Sequence, residues 1–291
     1  MPSGPRAELG DSATPRTPWL TTNTGKNFTV WTGPNMADTL VALAIAAHPD
    51  DIEFQMAGTL LLLKNAGAEI HMWNLANGYC GTTQHSPEEI VAIRWKEAQE
   101  SARRAGAKIY PPLFNDLEIF YDRPALGRVA SVIRQVQPNI VLTQPMVDYM
   151  EDHQDTGRLA VSAAFVRNIK NFITDPSAPP YFDPVRVYHS LPHGLCDWYG
   201  RPVVPEFYVN IESVLAGKRK LLACHRSQKE WLDASQGMDA YLDEMERMSR
   251  EVGARSGVFK VAEGWTKHSP TGFCAPDYDP IKETLGKLVK S

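Results

Sequence analysis

The chain shows its first strong structural pattern just after residue 36. Residues 39–47 (TLVALAIAA) form an apolar run that is too short to cross a membrane and lacks a 3.6-residue period, which predicts a strand buried on both faces. Residues 54–66 have the character of a helix and stop at Gly67, a natural helix C-cap. Residues 68–75 predict a second strand.

Strands and helices continue to alternate further along the chain. A long helix is predicted from the N-cap Ser86 to about Ala105, because proline and two acids follow the serine. The next predicted elements are a strand at 108–110, a helix at 124–136, a strand at 139–143 and a helix at 156–172. This order predicts parallel βαβ units, and therefore an α/β fold with a Rossmann-like, doubly wound, mostly parallel sheet and helices on both faces.

The pattern changes after about residue 180. Strands are predicted at 185–189 and 207–211, and helices at roughly 213–233 and 237–253. We therefore divide the chain into three parts. Residues 1–36 are a flexible or surface-lying leader, residues 37–180 are the Rossmann-like catalytic core, and residues 181–291 are a smaller strand and helix extension of the same domain. The leader has no apolar stretch of the kind that signal peptides contain.

Composition narrows the classes of function. The 30 Lys and Arg residues against 34 Asp and Glu residues give a net charge of -4, which disfavours binding of nucleic acid through a basic surface. No apolar run reaches the length of a membrane span. The four cysteines form no Cys-x-x-Cys pair, which is typical of a protein of the reducing cytoplasm.

The first chemical motif follows directly on the first predicted strand. It reads HPDDIE and places His48, Asp50, Asp51 and Glu53 where open α/β sheets bind ligands. His48 and Asp51 are three residues apart and could hold one divalent metal ion, with Asp50 free beside the metal as a base. The alternative is a plain helix N-terminus, where acids complement the helix dipole. That alternative explains the acids well but explains His48 poorly.

The second motif follows the fourth predicted strand and contains His153. If the two strand-end loops face each other, His48, Asp51 and His153 form a set of two histidines and one carboxylate. Three protein ligands leave a position open, which is typical of catalytic zinc, although Fe²⁺ or another divalent ion also suits this set. Taken alone, His153 is better explained as a residue that caps its helix or bonds locally, and its pairing with His48 shifts the balance towards a metal ligand.

These motifs carry a resemblance to a known family. The sequence resembles the PIG-L/LmbE-like zinc de-N-acetylases over about residues 38–275. The resemblance rests on AHPDDIE at 47–53, Arg94 and Glu97, DYMEDH at 148–153, HRSQ at 225–228 and AEG at 262–264.

The resemblance implies an activity and a set of roles. His48, Asp51 and His153 would be zinc ligands, Asp50 the general base, and Arg94 a residue that holds the substrate sugar. The expected reaction is removal of an acetyl group from an amino sugar or sugar conjugate.

Further residues complete the predicted site. The family commonly has a histidine where this chain has Met150, so Tyr149, His189 or His193 is expected to assist the reacting carbonyl group instead. Asn77 is expected at the rim of the pocket and Glu263 at its floor.

Two other functions stay open at this point. The same site could hydrolyse a non-sugar N-acyl conjugate, or it could bind metal or sugar without catalysis. The expected partner is a small N-acetylated amino sugar or glycoconjugate, with no nucleic acid and no membrane span. Association into a homo-oligomer is left open.

Overall fold

The computed structural model describes residues 39–228 and 241–291. The predicted leader at 1–36 lies outside the described residues, as do the parts of the two predicted helices that fall within 229–240. Among the described residues, no helix combines the length and the apolar character needed to cross a membrane.

Eight strands form one mixed sheet in the order β3-β2-β1-β4-β5-β7-β6-β8. The strands are β1 (Val41–Ala46), β2 (Glu69–Asn74), β3 (Lys108–Tyr110), β4 (Ile140–Thr143), β5 (Arg186–Ser190), β6 (Phe207–Asn210), β7 (Ala262–Lys267) and β8 (Val289–Lys290). The five strands from β3 to β5 in this order are parallel, and the other three join antiparallel. The sheet therefore takes strands from both sides of residue 180.

Helices cover both faces of the sheet. They are α1 (Asp51–Gln55), α2 (Ala57–Asn65), α3 (Pro87–Ala105), α4 (Arg123–Val136), α5 (Glu151–Phe165), α6 (Leu215–Leu222), α7 (Tyr241–Arg255) and α8 (Pro280–Leu285). Alternate residues of β1 feed two separate cores: Ala44 packs with Met56 and Leu60 on one face, while Ile45 packs with Val129 on the other. The predicted α/β class, with a strand buried on both faces, is confirmed.

Several predicted boundaries were wrong. The single helix predicted at 54–66 is two helices that meet at Met56, and the first of them already begins at Asp51. The helix predicted at 156–172 begins at Glu151 and ends at Phe165, where a 3₁₀ turn follows. The strand β7 was not predicted, because its AEGWTK segment lacks a clear apolar alternation.

The topology brings two loops to one edge of the sheet. β1 is paired with β2 on one side and with β4 on the other, and the register aligns Ile45 with Thr143. The chain after β1 and the chain after β4 therefore leave the sheet side by side at a topological switch point, the usual ligand site of such folds.

Candidate metal centre

The two strand-end loops bring His48, Asp51 and His153 together. Nδ1 of His48 and Nε2 of His153 each lie 3.4 Å from Oδ2 of Asp51, and the two imidazole rings are 5.4 Å apart. One ligand atom from each residue lies within 4.8 Å of the others, so the three could hold one metal ion. Among the described residues, no other group of three or more His, Cys, Asp or Glu side chains lies close enough together to hold a metal ion.

Each imidazole is held from behind by a carboxylate. Nε2 of His48 donates to Asp152 at 2.9 Å, and Nδ1 of His153 donates to Asp148 at 2.9 Å. These bonds place the proton on the outer nitrogen of each ring, which leaves the inner nitrogen free to bind a cation. Carboxylate–histidine pairs of this kind are the usual support of metal ligands. The donor set therefore fits a divalent metal such as Zn²⁺.

The charges around these side chains favour a cation at the centre. Burial alone lowers the pKa of His48, but Asp152 and Asp51 outweigh it and raise this pKa to about 10. Burial alone raises the pKa of Asp51, but the neighbouring His153 and His48 hold it below its usual range. Added positive charge, as a proton or as a metal ion, is thus stabilised here.

Asp50 is a buried carboxylate that is not one of the three grouped residues. Its Oδ2 accepts a hydrogen bond from the Tyr241 hydroxyl at 2.6 Å, and its Oδ1 lies 3.7 Å from the Arg94 guanidinium. Burial raises the pKa of Asp50 and the nearby Asp51 adds to this effect, while Arg94, His225 and Tyr241 oppose it. A carboxyl group with a raised pKa is suited to accept a proton during catalysis.

The backbone at Asp50 is strained. Its φ of 116° lies in a region that residues other than glycine rarely adopt. Such a conformation costs about 1–3 kcal/mol and persists only where surrounding bonds hold it. Here Asn74 donates to the carbonyl of His48, and Arg94 donates to the carbonyl of Pro49. The strain coincides with the predicted catalytic residue.

Arg94 lies deep in the protein, with 2% of its surface exposed. Besides Asp50, it contacts the carbonyl oxygens of Pro49 and of Gly78, the latter at 3.4 Å. The guanidinium therefore joins the first motif to the loop after β2. These contacts describe a residue that positions Asp50; its predicted contact with a sugar stays a prediction.

Residues of the HRSQ segment contact Glu97 and the first motif. Glu97 accepts hydrogen bonds from the amide and the hydroxyl of Ser227, at 3.0 and 2.6 Å. His225 lies 3.0 Å from Glu53, and both side chains are buried. The HRSQ segment is thereby anchored on α3 and on the acid of the first motif.

Tyr149 and His193 face the centre from its outer side. The Tyr149 ring lies 5.4 Å from the His153 ring, edge to face, and 6.2 Å from the His193 ring. Burial lowers the pKa of His193, which keeps its imidazole neutral near pH 7. Burial raises the pKa of Tyr149, as do Asp51 and Asp148. Both side chains therefore carry N–H or O–H donors beside the centre.

Asn77 and Glu263 each bond to other protein groups and stabilise a part of the fold. Asn77 donates to Asn115 at 2.7 Å and accepts from the Tyr79 amide, so its side chain stabilises the loop after β2. Glu263 is buried in β7, where its carboxylate accepts from the amides of Gly58 and Thr59 at the start of α2. The bonds of Glu263 are those of an anchor for a helix, and the predicted contacts of both residues with substrate stay predictions.

Sequence reasoning missed four supporting residues: Gln144, Asp148, Asp152 and Tyr241. The two acids lie inside the second motif, so their spacing from His153 was an available indication. Gln144 directly follows β4, which places it at the same edge of the sheet. Tyr241 is 191 residues from its partner Asp50, and nothing in the local sequence points to it.

Comparisons with known proteins identify a matching family and similar relatives. The sequence profile of the GlcNAc-PI de-N-acetylase family, PIG-L, matches residues 43–164. The chain is 30% identical to diacetylchitobiose deacetylase of Thermococcus kodakarensis over 197 residues, which are 66% of this chain and 71% of that protein. It is 26% identical to 4-oxalmesaconate hydratase of Pseudomonas putida over 201 residues, which are 65% of this chain and 74% of that protein.

A solved structure is similar as well. The N,N'-diacetylchitobiose deacetylase from Pyrococcus horikoshii, in complex with an inhibitor, superposes with a TM-score of 0.68 at 27% identity. The match covers 84% of this chain and 89% of that one.

Proposed function

The chain belongs to the GlcNAc-PI de-N-acetylase family, PIG-L, and on this premise we propose that it is a metal-dependent deacetylase of an N-acetylated amino sugar or sugar conjugate. The observation that carries the proposal is the convergence of His48, Asp51 and His153 next to the buried, unligated Asp50. A site that only binds metal does not need the additional carboxylate of Asp50.

Zinc is the metal we propose, because two imidazole nitrogens and one carboxylate are a common catalytic zinc set. When bound, such an ion would polarise an acyl oxygen and make water more acidic. The chain's own residues supply the remaining steps. Asp50 takes a proton from the water that attacks the acetyl carbon. The C–N bond then breaks, and Asp50 returns this proton to the departing amine, which releases acetate and a free amino sugar.

His193 and Tyr149 are the donors we propose for the reacting oxygen. A donor aimed at that oxygen favours the charge that develops on it in the transition state. Met150 carries no such donor, so the two neighbouring rings are the groups at hand on the outer side of the centre. Asn77 and Glu263 are proposed only as residues that shape the pocket through the elements they hold.

We also propose a cellular compartment and a partner for this protein. We propose the cytoplasm as its compartment, since all four cysteines are free thiols. The proposed partner is the small glycoconjugate substrate, and a homo-oligomer remains open to measurement.

A substrate screen tests the proposal. Full-length protein would be stripped with a chelator, reloaded with Zn²⁺ or Fe²⁺, and incubated with N-acetylglucosamine, N,N'-diacetylchitobiose and larger glycoconjugates. We expect stoichiometric acetate and free amine that disappear with the chelator. Release only from non-sugar amides would select the alternative amidase. No release from any amide, with hydration of 4-oxalmesaconate instead, would align the chain with its hydratase relative and overturn the proposal.

A further inference from the structure

Gln144 ties three parts of the metal centre together. It is fully buried at the end of β4. Its side-chain oxygen accepts from the Ala47 amide at 2.8 Å, and its side-chain nitrogen donates to Oδ2 of Asp51 at 3.1 Å. Its backbone carbonyl accepts from Nδ1 of His189 at 2.8 Å. Because the amide group is bonded at both ends, its orientation is fixed.

The bond to Asp51 is the one that bears on the metal. Asp51 supplies the only carboxylate among the three proposed ligands, and its Oδ2 also accepts from the backbone amide of His48 at 2.7 Å. Two donors on one oxygen hold the carboxylate plane in place between the imidazoles of His48 and His153. Groups that orient a ligand in this way typically change metal affinity when they are removed.

We propose that Gln144 is a positioning residue for the metal centre, which fixes the Asp51 carboxylate so that a divalent cation is bound tightly. This inference rests on the proposed function, since it needs the three ligands to hold a metal. It adds a residue outside the motifs, directly after the neighbouring strand β4, as a determinant of metal affinity.

A purely structural role is the competing explanation, because Gln144 also joins β4 to the chain after β1. The fold provides a matched control at the opposite end of the same two strands. There the side chain of Asn139, just before β4, accepts from the Val41 amide of β1 at 2.9 Å. Asn139→Leu removes an equivalent link between the strands, far from the centre.

The test compares Zn²⁺ affinity in metal-stripped, full-length protein by competition with a chromogenic chelator. We expect Gln144→Met, which has a similar volume but no donor, to weaken Zn²⁺ binding by about 10–100-fold. Asn139→Leu should bind Zn²⁺ like the parent protein, whatever it does to stability. The visible absorption of Co²⁺-loaded protein should change in Gln144→Met, because the carboxylate ligand moves, and stay unchanged in Asn139→Leu.

The possible failures are distinguishable. If the parent binds Zn²⁺ and Gln144→Met binds it equally well with the same Co²⁺ spectrum, the inference is overturned while the proposed function stands. If the parent binds neither ion, both are overturned. Should Gln144→Met not fold, Gln144→Asn carries the same expectation, because its shorter side chain cannot reach Ala47 and Asp51 together.

Discussion

The Tyr241 hydroxyl donates a 2.6 Å hydrogen bond to the Asp50 carboxylate across 191 residues of sequence. Both side chains are buried, and the other carboxylate oxygen of Asp50 lies next to Arg94. The proposed base, Asp50, is thus contacted at each of its two oxygens by a different element, α7 on one side and α3 on the other. A catalytic group held at both oxygens keeps one orientation, which favours efficient proton transfer.

Tyr241→Phe is therefore expected to slow turnover. A hydrogen bond to a charged group is worth about 1.5–3 kcal/mol, and loss of about 1.4 kcal/mol from the transition state lowers kcat about tenfold. We expect KM and zinc content to stay unchanged. Tyr188→Phe is the matched control, because the buried Tyr188 hydroxyl donates a 2.7 Å bond to Asp279. Equal kcat values in the two variants would contradict a special role for Tyr241.

The roles of Asp50 and His48 should separate in one pair of variants. Asp50→Asn removes the proton acceptor and keeps the ligands, so we expect turnover to fall by about 10²–10⁴-fold with zinc content intact. His48→Ala removes a ligand, so we expect zinc itself to be lost. Acetate release and bound zinc would be measured on the same samples. Parent-like turnover in Asp50→Asn would show that the base is misassigned.

His193→Ala tests the proposed donor on the outer side of the centre. Removal of one donor to the reacting oxygen typically costs about 10²–10³-fold in kcat, and we expect a loss of that order with normal zinc content. His71→Asn serves as the control, because His71 bonds with Glu69 and Tyr110 at the far end of β2. If His193→Ala turns over like the parent, Tyr149 becomes the remaining candidate.

Stability should depend on pH through His189. Burial lowers the pKa of His189 from 6.5 to about 4, while in the unfolded chain it returns to its ordinary value. The folded state therefore binds fewer protons between these two values, so stability rises with pH across this window. The contribution is complete above about pH 6.5 and is lost as pH falls to about 4; its size is about 3 kcal/mol.

Urea unfolding of metal-free protein at several pH values would measure this effect. His189→Asn keeps a donor for the Gln144 carbonyl and removes the titrating ring. We expect the rise in stability between pH 4 and 6.5 to be smaller in this variant than in the parent. Identical slopes would mean that folding does not lower the pKa of His189.

The candidate metal centre was predictable because it depends on two features of the predicted sheet. His48, Asp51 and His153 each follow a buried strand, and parallel strands β1 and β4 are neighbours, so their carboxyl ends coincide. The break at Met56 was not predictable. The amides that begin α2 have their acceptor in Glu263, 205 residues from Gly58, and a helix cap supplied from such a distance leaves no trace in the local sequence. The same holds for Tyr241.

Glu263 gives the last prediction, which concerns stability. Its carboxylate accepts from the Gly58 and Thr59 amides, and it pairs with the buried Lys218 ammonium at 2.7 Å. Glu263→Ala leaves that charge and those amides without a partner, so we expect the free energy of unfolding to fall by about 3–5 kcal/mol. Glu263→Gln keeps an acceptor and should lose less.

Adding Lys218→Met to Glu263→Gln should recover part of the loss, because no charge then remains buried without its partner. Urea unfolding of metal-free protein would measure the three variants. The same variants, reloaded with Zn²⁺, test whether Glu263 shapes the pocket directly. An anchor of α2 leaves KM unchanged in folded Glu263→Gln, since the element stays in place and the substrate meets the same surface. A large rise in KM with undiminished stability would contradict the anchoring role and place Glu263 at the substrate.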